Sequence, residues 1–162
     1  MPGAVSISLE QQGELTPFYA DGIKYWISAS NGGYEGDLTI ALIPDSFRQD
    51  VLGETLDTNK VLIENSDVTT KPFAFGFRIQ GNENPYYFWF LNCTATRPNI
   101  EANTKEDTIE PDTDVLTISC APSDIADTEG VVRMRTTEAT TPTVIQNWFK
   151  SVYTPSMQEE SV

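Results

Sequence analysis

Apolar side chains recur at every second position in one segment of this chain after another, and glycine, proline or asparagine separates the segments. A period of two places alternate side chains on opposite faces of an extended strand, so such a pattern commits a chain to β-sheet with one dry and one wet face. In residues 4–10, Val5, Ile7 and Leu9 alternate with Ser6, Ser8 and Glu10. In residues 36–43, Leu38, Ile40 and Leu42 alternate with Asp37, Thr39 and Ala41. Residues 17–28 carry Phe18, Tyr19, Ile23, Tyr25, Trp26 and Ile27 around an Asp21-Gly22 turn signal, which predicts two short strands. Phe73, Phe75, Phe77 and Ile79 alternate with smaller or polar residues, and a turn at residues 81–84 leads into Tyr86 to Cys93. That return run is apolar on both faces and is predicted to be a central strand. Further strands are expected at Val115 to Cys120 and Val131 to Arg135.

The period breaks in two places. Pro44-Asp45-Ser46 opens a predicted helix over 45–52, with Asp45 or Ser46 as cap, Phe47, Val51 and Leu52 on one face, and Gly53 as the left-handed stop. Val144, Ile145, Trp148 and Phe149 fit helical spacing in residues 142–153, with Thr143 as a cap. Residues 154–162 read as a frayed polar tail. With 162 residues, no internal repeat and no linker, the expectation is a single mainly β domain over 1–162: two packed, mostly antiparallel β-sheets with a short flanking α-helix.

Composition narrows function. The chain has no histidine, which excludes histidine-based triads and general bases and most zinc or iron sites. No cofactor and no metal are expected. Acid pairs such as Asp112 with Asp114, or Glu106 with Asp107, can be imagined as carboxylate pairs for hydrolysis or as calcium ligands, but a solvated acidic loop is the preferred reading and the spacing matches no calcium loop. No catalytic residue is assigned and no enzyme is expected. Cys93 and Cys120 lie in apolar runs and read as small buried hydrophobes, with a disulfide as the alternative. No apolar run is long enough to cross a bilayer, and no membrane partner is expected. A net charge of −14 should repel nucleic acid and anionic lipid. The aromatic hairpin admits a second reading, a carbohydrate-binding β-sandwich, which would require exposed rings in a cleft.

Several segments resemble the major tail proteins, or tail tube proteins, of long-tailed phages that infect Gram-positive bacteria. The resemblance is carried by Pro2-Gly3-Ala4-Val5-Ser6-Ile7-Ser8-Leu9, Thr16-Pro17-Phe18-Tyr19-Ala20-Asp21, Gly33-Tyr34-Glu35-Gly36-Asp37-Leu38 and Ile43-Pro44-Asp45-Ser46-Phe47-Arg48. It continues in Asn92-Cys93-Thr94-Ala95-Thr96-Arg97-Pro98 and Thr104-Lys105-Glu106-Asp107. Members of that family usually carry a further segment ahead of the Pro-Gly-Ala-Val stretch, whereas Met1 directly precedes it here. The resemblance implies a structural subunit of the virion tail, made in the host bacterial cytoplasm. It implies hexameric rings that stack on one another, contact other tail proteins and let DNA pass without specific binding. On this reading Ser6, Ser8, Glu10, Asp37 and Thr39 are the lumen-facing candidates. The long acidic segment with Glu101, Lys105, Glu106, Asp107 and Glu110 is the candidate loop between subunits.

Overall fold

The computed structural model describes residues 3–20, 23–80, 85–100 and 113–155. The protein is mainly β and antiparallel, with two short helices, as the alternation predicts. The chain forms two compact units, residues 1–72 with 94–119, and residues 73–93 with 120–162.

In the first unit, β1 (Ala4–Gln12) pairs antiparallel with β4 (Gly33–Ile40), and β9 (Asp114–Ala121) is the next neighbour of β4. Between β1 and β4 the chain makes an excursion, the antiparallel pair β2 (Leu15–Ala20) and β3 (Ile23–Ala29). The expected two-strand reading of 17–28 therefore holds, while its Asp21-Gly22 turn lies outside the described residues. Backbone bonds from Gly32 to the Gln12 carbonyl and from Ser30 to the Glu14 carbonyl return the chain from the excursion onto β1. The inward side chains of these strands form the core: Leu38, Ile40, Leu116 and Ile118 are each at most 3% exposed.

The alternation through 36–43 ends earlier than expected. Strand β4 stops at Ile40, Leu42 turns out to 70% exposure, and Ile43 occupies the interior at 1%. The reason is a tie from another strand: the Ile43 N–H donates to Asp114 Oδ2 at 2.9 Å, which redirects the chain before the helix. Helix α1 spans Asp45–Asp50, two residues shorter than predicted. Its cap position is Pro44, with no side-chain cap bond, rather than Asp45 or Ser46. Val51 and Leu52 follow it into the core. Gly53 adopts φ +77, the left-handed stop the sequence predicts, and a Cβ there would also lie 2.2 Å from Val68 Cγ1. The polar stretch after it holds a small hairpin, β5 (Thr55–Leu56) with β6 (Leu62–Ile63).

In the second unit, β8 (Tyr86–Ala95) pairs with β7 (Phe73–Ile79) and with β10 (Met134–Arg135), so it has neighbours on both sides as its double-faced pattern requires. Strand β10 is shorter than the expected 131–135. One face carries a ladder of rings, with Phe77 stacked on Phe88 at 5.0 Å and on Phe90 at 6.2 Å. The opposite face meets the end of α2 (Pro142–Asn147). There the Trp89 indole N–H donates to the Trp148 carbonyl at 3.0 Å, and Phe149 leans on Tyr87 and Trp89. The cap of α2 is Thr141, not Thr143, because Pro142 takes the first helical position where its missing N–H costs nothing.

Cys93 and Cys120 are free and buried, with sulfurs 3.0 Å apart. The hydrogen bond to Cys120, and after it burial, pushes the Cys93 thiol far above the ordinary thiol range. Neither thiol should react with a disulfide reagent at pH 8 in the native protein, and both should react after unfolding without reductant; a fast native reaction would contradict this packing. Replacing Ile118 with alanine should lower the unfolding free energy by about 2–5 kcal/mol in guanidinium titrations. Val115→Thr, at a strand position that is 43% exposed, should change it by less than about 0.5 kcal/mol.

Candidate functional site: a polar sheet face without basic residues

Register decides which side chains share a surface. In β1 and β4, Ser6 stands opposite Thr39, Ser8 opposite Asp37 and Glu10 opposite Glu35. Directly opposed residues of an antiparallel pair point to the same side. The five candidates Ser6, Ser8, Glu10, Asp37 and Thr39 therefore lie together on one face, although they come from strands about thirty residues apart. Ser6, Ser8, Glu10 and Asp37 are exposed and Thr39 is half-buried.

The face extends beyond the two strands. The Thr117 hydroxyl on β9 donates to Asp37 Oδ1 at 2.8 Å, which places Thr117 on the same side. Its alternate neighbours on β9 are Val115 and Ser119, both exposed, against buried Leu116 and Ile118. At the end of β8, Thr94 and Thr96 are exposed around buried Ala95, and the Thr96 N–H donates to the Thr117 carbonyl at 2.9 Å. Apart from Val115, the surface is thus built from hydroxyls and three carboxylates, Glu10, Glu35 and Asp37, and none of its named positions is lysine or arginine. Glu35, Thr94, Thr96, Thr117 and Ser119 were not among the sequence candidates. A strand at Val115 to Cys120 was expected, but not which strand it would lie beside.

Gly36 allows the close approach on which this face rests. A Cβ at that position would fall 1.8 Å from the Ser8 carbonyl oxygen, inside the backbone of β1. Only a hydrogen fits there.

The charged residues named in the long 96–114 segment divide. Glu101, Lys105, Glu106, Asp107, Glu110 and Asp112 lie outside the described residues. Asp114 begins β9. Besides holding the Ile43 amide it faces Arg48 at 3.8 Å, and Arg48 also pairs with Glu54 at 3.3 Å. Among the described residues it acts as a structural tie, and its proposed partner Asp112 lies outside them. Among the described residues no cluster of three or more acids and thiols is arranged to hold a metal ion. No helix among them is long and apolar enough to cross a membrane.

Gly36→Ala should push β1 away from β4. Amide exchange of residues 4–12 should speed up at least ten-fold while the amides of β9 keep their protection; unchanged β1 protection would show that the strands do not approach this closely. No family model, curated protein or solved structure matches this chain.

Proposed function

We propose that this chain is a structural subunit of a phage tail tube, closing into hexameric rings that stack around a DNA conduit. The observation that carries the reading is the face of β1, β4 and β9. A conduit must let a polyanion slide without holding it. Each lysine or arginine on the wall would neutralise a phosphate, release counterions and add salt-sensitive affinity. A wall of Ser6, Ser8, Thr39, Thr117 and Ser119 with Glu10, Glu35 and Asp37 has no such sites. At physiological salt the screening length is about 8 Å, so its carboxylates act only close to the wall and do not obstruct the bore.

Two further features favour an assembling subunit. Strand β1 ends the order β1-β4-β9, which leaves one of its sides without a strand partner among the described residues, and edge strands of this length invite pairing by another chain. The resemblance carried by the segments at 2–9, 16–21, 33–38 and 43–48 supplies the ring and its six-fold order. The carbohydrate-binding alternative draws less support, because the described hairpin rings pack on each other and on Phe149.

Negative-stain microscopy and light scattering at high protein concentration should show rings or short tubes, with the hydroxyl-and-acid face inward. Duplex DNA should show no mobility shift with the protein at low salt, where any attraction would be strongest. A basic inner wall, or measurable DNA binding, would overturn the conduit reading.

A further inference from the structure

A subunit with a net charge of −14 repels its own copies, so a ring of such copies gains from places where charge attracts. The second unit presents a pair of cations on its surface. Arg133 and Arg135 are both exposed and two residues apart, and the register of β10 sets Arg135 opposite Phe88. The Arg135 guanidinium carbon lies 5.1 Å from the Tyr86 ring centroid, and that of Arg133 lies 5.9 Å from the Phe88 centroid. A cation held over an aromatic face loses little freedom when it meets an anion, and the Arg135 guanidinium has five N–H donors, more than the Tyr86 ring can engage. None of the ion pairs among the described residues includes Arg135. Ile79, opposite Tyr86 and 49% exposed, adds an apolar margin.

Most of the chain's 24 acidic residues belong to the first unit. We infer that the ring-backed Arg133–Arg135 surface is a docking surface for a second copy of this chain, receiving an acidic surface of that copy's first unit through charge-assisted hydrogen bonds. This rests on the assembly reading and names where one of its contacts forms. It also divides the molecule by sign: arginines that would trap DNA on the hydroxyl-and-acid face are placed instead on a sheet face that a neighbour covers.

The test is sedimentation velocity over a range of protein concentrations at 50 mM and 500 mM salt, on the wild-type chain and three variants. R133Q/R135Q and the control K60Q/K71Q carry the same net charge, since each loses two cations. The wild type should associate, R133Q/R135Q should associate at least ten-fold more weakly at low salt, and the control should match the wild type. R133K/R135K, which keeps the charge, should recover most of the association, and thermal unfolding of each variant checks that it is folded. Equal weakening of the two glutamine variants would mean that only overall charge matters, and no weakening in R133Q/R135Q would mean that copies meet elsewhere. Either result overturns the docking surface while leaving the assembly reading intact. A wild type that stays monomeric at every concentration and salt would instead remove the assembly reading, and the docking surface with it.

Discussion

The antiparallel register of β4 on β1 is the constraint on which the rest of the first unit depends. Side chains alternate with period two, so a slip of one residue would turn Leu38 and Ile40 to solvent and Asp37 and Thr39 into the core. Burying an unpaired carboxylate costs several kcal/mol, whereas the native register keeps Leu38 at 3% exposure and Ile40 at 0%. The contact of Gly36 with the Ser8 carbonyl strengthens this choice, because a residue with a Cβ placed there by a slip would collide with β1. The Thr117–Asp37 hydrogen bond carries the same parity across to β9. One geometric condition thus produces both a closed core and a face of hydroxyls and acids.

Around this face, polar groups serve as ties where the chain changes direction. Asp114 stands at the start of β9 and takes the Ile43 amide, so the strand that lies beside β4 also sets where α1 begins. Arg48 of that helix answers both Asp114 and Glu54, and Glu54 is only 8% exposed. The Arg48–Glu54 pair is worth more than an exposed ion pair because less solvent screens it, although desolvation offsets part of the gain. Arg97 plays a similar part for the loop at 64–68, pairing with Glu64 at 2.9 Å and donating to the Val68 carbonyl at 3.0 Å. These cations are engaged in holding the fold.

The second unit uses aromatic area instead. Rings contribute large apolar surface with few rotatable bonds, and offset stacking adds about 0.5–1.5 kcal/mol per pair beyond burial. Gly76 is part of that packing, since the Trp89 ring passes within 2.7 Å of where its Cβ would be. Trp148, at 3% exposure, anchors the end of α2 with Tyr153 stacked on it at 5.1 Å. The same ring ladder that fills one sheet face steadies the two arginines at its margin, so packing and surface charge are coupled in one element.

Local pattern by itself determined the strand-rich class, the aromatic hairpin with a central β8, the helix near 45–52, the Gly53 stop and the burial of both cysteines. All of these depend on side-chain periodicity or on the conformational freedom of one residue, and both are properties of a few neighbouring positions. The wet sides of β1 and β4 were readable for the same reason, which is why Ser6, Ser8, Glu10, Asp37 and Thr39 could be named one strand at a time. Their convergence was not readable. It requires that β4 return to β1 after the β2–β3 excursion and that β9 arrive from some eighty residues away, and strand order is set by long-range burial that no local window contains. The caps failed for a related reason: Pro44 and Thr141 stand at the helix starts because the Asp114 tie and the Pro142 ring fix the chain there, outweighing the hydroxyls and carboxylate nearby. Leu42 and Ile43 show the same effect at single-residue scale, since one hydrogen bond from a distant aspartate reversed which of them is buried.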